Sequence, residues 1–265
     1  MRGAVGIGRS LLLILLALVA LGLASATPAA PTSTVETVVT IQFDDGRENA
    51  YGALPILEAH GMHATFYVNT DLLGGSGYMS WGQLADLAAA GNEIAGHTLT
   101  HANLKRLSTA AARREVCNDR VNLFEHGFQP TSFAYPYGQF NDGIKQVVRE
   151  CGYSSARGLS GVDGRTTFAE TIPPRDAYAT RTPQLPKRST SLATIKRYVT
   201  DAEQHGGGWV QLVVHNLCNG CNTYAITPAD FTALLDWLQP RAALGTVVKT
   251  AGEVIGGTVQ PPVSG

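Results

Sequence analysis

Val38-Val39-Thr40-Ile41-Gln42-Phe43-Asp44-Asp45-Gly46 is the stretch that decides the fold. Its β-branched and aromatic residues read as a buried strand over 38–43, and it ends abruptly on two carboxylates and a glycine. The same event recurs along the chain. A strand at 64–69 follows, and another at 93–95 runs straight into His97. One at 132–135 leads to Tyr137, and one at 209–214 ends at His215. Helical patterns lie between them, over 51–59, 109–125 and 142–150. Ser80-x-x-Gln83 makes a capping box for a helix running to Ala90. Thr227-Pro228-Ala229-Asp230 opens another with a cap residue and a proline at the first position. Repeated β-then-α units imply parallel strands with helices outside. Both a barrel and a doubly wound sheet fit; polar residues at the C-terminal ends of strands favour an α/β barrel, whose active sites lie there. The stretch 154–190 shows no period and holds Arg157, Arg165, Arg175 and Arg181. A segment that long without structure is either functional or one whose elements this pattern fails to show.

The chain ends differ from this core. Arg2 and Arg9 precede an apolar run over 11–23, and Ala24-Ser25-Ala26 offers a small-x-small cleavage site. Thirteen helical residues reach about 20 Å, short of the roughly 30 Å a spanning helix must cross. Residues 1–26 are therefore expected to be a cleaved signal peptide, giving a secreted protein without a membrane anchor. The Pro/Thr/Ala-rich stretch 27–35 reads as a linker, 36–255 as one catalytic domain and 256–265 as a flexible tail. Without Arg2 and Arg9 the balance is 18 basic against 21 acidic residues. That excludes a footprint for nucleic acid or an anionic membrane and favours a neutral partner.

Four cysteines in an exported chain point to disulfides, in three possible connectivities. Cys117–Cys151 with Cys218–Cys221 is favoured, the second stiffening a turn on Asn219-Gly220. The CxxC as a redox or zinc half-site is the weaker reading, as no second CxxC accompanies it.

Hydrolysing an amide needs a polarised carbonyl, an activated water, an oxyanion site and an acid for the amine. His97 and His101 are four apart, so one helical turn would place both imidazoles on one face. Two imidazoles and a carboxylate make a three-ligand metal site with open positions. Non-haem iron oxygenases use the same set. The pair Asp44-Asp45 tips the balance to hydrolysis, since one carboxylate can bind the metal while the other takes a proton from the attacking water. Adjacent strand residues face opposite ways, so the turn at Gly46 has to aim both into one mouth. His215, an imidazole titrating near neutrality, would protonate the leaving amine. His60, His63, His126 and His205 read as ordinary helix-end or loop histidines.

Phe43-Asp44-Asp45-Gly46, His97-Thr98-x-x-His101, Tyr135-Pro136-Tyr137-Gly138 and Leu212-x-x-His215, in that order, resemble the successive motifs of the polysaccharide deacetylase family (carbohydrate esterase family 4, NodB-homology domain). The likeness spans about residues 36–255. It implies a single-domain, distorted and incomplete (β/α)7-type barrel. It also implies a divalent metal on Asp45, His97 and His101, zinc first, with cobalt, manganese or nickel as alternatives. Asp44 would be the general base, the Tyr137 backbone N–H the oxyanion donor and His215 the general acid. Leu212 would line the acetyl-methyl pocket, with Pro136 and Trp209 also meeting substrate. Trp81, Tyr78, Phe140, Tyr178 and Tyr224 join Trp209 as stacking candidates, most of them better explained by ordinary packing.

The departures concern positioning groups. Ala134 stands where many members carry an arginine that steadies the catalytic aspartate, and Arg175 is the expected substitute. The fourth motif, an aspartate tuning the catalytic histidine, has no clear match; Asp176 is the nearest. Gln42 replaces the usual threonine. The expected activity is removal of N-acetyl groups from an N-acetylglucosamine polymer: chitin, peptidoglycan or poly-N-acetylglucosamine. O-acetylated xylan is the alternative, a non-catalytic glycan-binding protein is the rival from another class, and the protein is expected to be a monomer.

Overall fold

The computed structural model describes residues 36–265 together with Met1, Gly3 and Gly6. The chain divides into two compact units, Met1–Ser33 and Thr34–Gly265, and the described strands and helices all belong to the second. The expected signal peptide and linker lie outside the described residues, apart from those three. No described helix is long and apolar enough to cross a membrane.

Strand β1 (Thr37–Phe43), buried at every residue, pairs along its whole length with β7 (Gly208–Val214). Its other edge is shared. β2 (Thr65–Val68) pairs with its C-terminal end and β10 (Thr246–Val248) with its N-terminal end. From β2 the sheet continues, all parallel, through β3 (Glu93–Gly96), β4 (Ser132–Ala134) and β5 (Ser155–Gly161) to β6 (Thr180–Thr182). Seven strands thus curl in the order β7-β1-β2-β3-β4-β5-β6, with β10 wedged at the foot of β1. This is the incomplete, distorted (β/α)7 barrel that the motifs imply.

Among the described residues, no ladder joins β6 to β7. Side chains close that seam. Gln211 donates to Thr180 Oγ1 at 3.1 Å and to the Arg181 carbonyl at 2.9 Å, and accepts from Gln42 Nε2 at 2.9 Å. Gln42 sits on the adjacent strand β1, and its amide orients that of Gln211 toward the seam.

The aperiodic stretch 154–190 holds β5 and β6. Ser-Ala-Arg-Gly-Leu-Ser-Gly and Thr-Arg-Thr carry almost no apolar signal, because polar groups fill this side of the barrel.

The helices follow the sequence closely. The expected helix at 51–59 starts as a 3₁₀ turn, Glu48–Ala53, before α1 (Leu54–His60). The Ser80/Gln83 capping box opens α2 (Trp81–Ala89), a cap worth about 1 kcal/mol. α3 (Thr109–Glu125) and α4 (Asp142–Glu150) have the bounds expected of them. α5 (Leu192–Gln204), α6 (Pro228–Leu238) and α7 (Ala251–Ile255) complete the set. Leu57, Leu84, Ile195 and Leu235 pack on Ile41, Phe66 and Val210 of the sheet to form the larger core. A second core lies under α3 and α4, where the buried Cys117–Cys151 disulfide joins the two helices' region. Closing 34 residues, it contributes roughly 3–4 kcal/mol by loop entropy. Residues 256–265, expected to be flexible, dock instead on α3. Arg120 donates to the carbonyls of Gln260 (2.7 Å) and Pro261 (3.0 Å), and Gly265 N–H to Asn118 (2.8 Å).

The foot of the seam has its own clasp. Glu170, 1% exposed, receives Arg181 Nε at 2.9 Å and Nη2 at 2.7 Å, plus the N–H groups of Thr171 (2.8 Å) and Arg181 (3.1 Å). Its backbone exchanges hydrogen bonds with Trp209. Burial pushes the Glu170 carboxyl up, but the Arg181 fork and the N–H donors outweigh it and hold the group below its ordinary 4.5. A depressed carboxyl contributes stability that is full above 4.5 and is lost as pH falls through the folded value. Glu170→Gln is expected to cost about 3 kcal/mol at neutral pH, because it leaves Arg181 partly buried without its counter-charge. Urea melts near pH 7 and near pH 3 check this: the gap between wild type and variant shrinks in acid, and a constant gap would refute the assignment.

Candidate active site

Asp45, His97 and His101 come together at the mouth of the barrel from the ends of β1 and β3. Their ligand atoms all lie within 4.8 Å of one another. Asp45 Oδ1 is 3.3 Å from His101 Nε2 and 3.6 Å from His97 Nε2. The histidine pair converges, though not through a helical turn. Residues 98–101 form a loop in which Thr98 (φ 73°) and His101 (φ 62°) are left-handed. The Asn69 side-chain amide pins it by donating to the carbonyls of His97 and Thr98.

Asp45 (φ 73°) and Tyr137 (φ 58°) are left-handed as well, and no other non-glycine residue among those described has positive φ. Three of the four are expected site residues and the fourth follows His97. Such conformations cost about 1 kcal/mol or more each and persist where the surroundings impose them. At Asp45 the benefit is visible: the turn swings its carboxylate beside the histidines while Asp44 points into the barrel.

The donor set fits a divalent cation. His97 Nδ1 lies 2.7 Å from the Ala134 carbonyl, which fixes the proton on Nδ1 and leaves the Nε2 lone pair aimed at Asp45. Asp45 Oδ1 is buried and has no hydrogen-bond partner. Electron-rich atoms of three residues thus face one point, as nitrogen and oxygen ligation of zinc requires. Burial pushes the Asp45 carboxyl up, but His101 and His97 outweigh it and hold the group far below the ordinary range. Burial also pushes His97 down, yet Asp45 and Asp44 hold it above its ordinary value. A cation competes there with the proton these carboxylates draw.

Asp44, 2% exposed, accepts from Arg157 Nη2 at 2.5 Å. Arg157 is 1% exposed and lies over the Tyr67 ring, 4.9 Å from its centroid. Ala134 and Arg157 are Cα partners across β4 and β5. The guanidinium missing at 134 is therefore delivered from the neighbouring strand at the same height. Arg175 does not take that role: it is exposed and lines a separate cleft with Glu36, Phe168 and Gly206. Asp176 does not reach His215 either, being occupied by Lys145 Nζ (2.9 Å) and the Tyr178 N–H (2.8 Å).

His215 stands one residue beyond β7. Its Nδ1 is buried without a partner, and its ring packs against Tyr224 at 5.1 Å between centroids. Burial pushes the imidazole below its ordinary value, with Asp44 and Asp45 offsetting only part of that. A cavity of about 440 Å³ brings Asp44, Asp45, His97, His101, Tyr137 and His215 onto one wall. Tyr137 sets its ring edge-on to His101 at 4.6 Å. Gly138 (φ 62°) must follow it, since a Cβ there would lie 2.8 Å from that of Leu159.

Three expected substrate contacts fall elsewhere. Leu212 lies three residues before His215, so strand alternation turns it outward into the core. Leu159 and Leu185 supply the apolar wall instead. Trp209, at the far end of β7, is 1% exposed and donates to Thr40 Oγ1 at 2.6 Å. Pro136 is buried behind Tyr135 and Tyr137, where it starts the turn. Of the stacking candidates, Tyr224 reaches the cavity, while Trp81 stacks on His126 and Phe140 on Tyr135. Both expected disulfides are present.

Residues 32–156 match the family model described as polysaccharide deacetylase. The chain is 31% identical over 118 residues to YxkH of Bacillus subtilis, covering 43% of this chain and 42% of that one. It is 32% identical over 116 residues to the peptidoglycan-N-acetylmuramic acid deacetylase PdaC of the same organism, covering 42% of this chain and 24% of that one. It thus spans less than half the length of either relative. Among solved structures, a family 4 carbohydrate esterase from Streptomyces lividans in complex with acetate is similar in fold. It has a TM-score of 0.55 at 18% identity, covering 86% of this chain and 97% of that one. The motifs, the barrel and the match over residues 32–156 all agree on the polysaccharide deacetylase family.

Proposed function

We propose that this chain is an exported, metal-dependent hydrolase that removes N-acetyl groups from N-acetylglucosamine-containing polysaccharide. One observation carries the reading: the Asp45/His97/His101 cluster shares a cavity wall with a buried, arginine-paired Asp44 and with His215. A divalent ion, zinc by the ligand set, would be held by Asp45, His97 and His101 and would polarise the acetyl carbonyl and acidify water. Asp44 takes the proton from the attacking water, oriented by Arg157. The Tyr137 N–H supports the charge that develops on the carbonyl oxygen. His215 gives a proton to the departing amine, and Leu159 and Leu185 receive the acetyl methyl. The apolar run at 11–23 supports export.

A glycan-binding protein without turnover loses its main support once Arg157 supplies what Ala134 lacks. Acetate release by purified residues 27–265, with zinc or with chelator, tests the reading. The panel comprises chito-oligosaccharides, peptidoglycan, poly-N-acetylglucosamine and acetylxylan. Chelator-sensitive release from an N-acetylated glycan is expected, and release from acetylxylan alone would make the protein an O-acetyl esterase. Silence across the panel from folded, metal-loaded protein would return the binder reading.

A further inference from the structure

We infer that the Cys218–Cys221 disulfide positions His215, by closing the loop that holds Tyr224 against its imidazole. The inference rests on the hydrolase reading, in which His215 protonates the leaving amine.

A general acid must present one nitrogen in one direction, and an imidazole is usually steered by a partner on its other nitrogen. His215 has no such partner, since its buried Nδ1 is unbonded. The Tyr224 ring stands against it instead, tilted 31° to the imidazole. Backbone fixes that tyrosine: its carbonyl accepts from both the His215 N–H (3.1 Å) and the Asn216 N–H (3.2 Å).

The chain must turn sharply to make this possible. β8 (Asn216–Leu217) and β9 (Ala225–Ile226) pair in parallel, joined only by residues 218–224. Parallel neighbours ordinarily need a crossover of a dozen or more residues. Here Gly220 (φ 75°) reverses the chain and the disulfide closes the reversal. The Cys221 N–H donates to Cys218 Sγ at 3.2 Å, and the Cys218 N–H to the Ile226 carbonyl at 3.0 Å. From β1's side, Asn49 donates to Asn216 Oδ1 at 3.1 Å and approaches Cys221 Sγ at 3.5 Å.

The two disulfides divide the work. Cys117–Cys151 is buried in a core and closes a long loop, so it acts on the whole domain. Cys221 is exposed, and the staple spans three residues of sequence, too short a loop to act on more than its own surroundings.

The test compares wild type with Cys218→Ser/Cys221→Ser on two substrates, both with zinc present. One is the N-acetylated oligosaccharide that wild type hydrolyses. The other is 4-nitrophenyl acetate, whose phenolate leaves without a proton. Turnover of the amide is expected to fall by about tenfold or more, while the aryl ester stays within about twofold. Melting temperature and zinc content stay near wild type. Tyr224→Ala is expected to lower the oligosaccharide kcat likewise with KM within about twofold, whereas a loss confined to KM would mark lost sugar stacking and overturn the inference. Equal losses on both substrates, or an unchanged amide kcat, would overturn the inference. If wild type itself releases no acetate from amides, the hydrolase reading falls first and this inference with it.

Discussion

Asp44→Asn is expected to fold and to hold the metal of the proposed site but to release acetate about 10³-fold more slowly than wild type. The substitution keeps the shape of the side chain and removes its ability to take a proton. Asp45, His97 and His101 are untouched, and Asp44 is not one of the three clustered ligands. Zinc content by elemental analysis and turnover on the same preparation separate the two roles. Retention of more than a tenth of wild-type turnover would disqualify Asp44 as the base. Loss of zinc would make it a ligand.

Arg157→Met carries the second large effect. Both members of the Asp44–Arg157 pair are at most 2% exposed, so removing the cation strands a buried carboxylate. A loss of about 3–5 kcal/mol in folding free energy is expected. Turnover falls by roughly 10² as the carboxylate loses its orientation. The informative variant is the double one. Arg157→Met with Asp44→Asn leaves no unpaired charge, so it is expected to be more stable than Arg157→Met alone. Urea melts of the two singles and the double decide it. Additive losses would mean that the pair contributes nothing as a pair.

How much of this was legible in sequence follows from which physical signal each residue carries. Four cysteines leave three pairings open, whereas the strand at 38–43 and the helices at 109–125 and 142–150 announce themselves through local pattern. β5 and β6 do not, because a barrel interior filled by Arg157, Thr180 and Thr182 erases the apolar run that marks a buried strand. Arg157 was visible as one arginine among four. Its partnership with Asp44 depends on β4 and β5 lying in register, and register is set by tertiary packing. The spacing of His97 and His101 predicts a shared helical face, but a loop pinned by Asn69 brings them together instead. Leu212 shows the reverse case, in which strand parity alone, applied from His215, places it on the outer face.

The seam between β6 and β7 bears on how a long polymer reaches this site. Ladder bonds resist separation together, whereas the amide of Gln211 lets go one contact at a time. The seam runs upward from the Glu170–Arg181 clasp at its foot to Leu185 and His215 at its lip. Above the Glu170–Trp209 backbone bridge at its foot, the seam between β6 and β7 carries no ladder among the described residues, so side chains alone hold its lip. On the proposed reading, a glycan strand would meet this lip mid-chain and would not need a free end to be threaded.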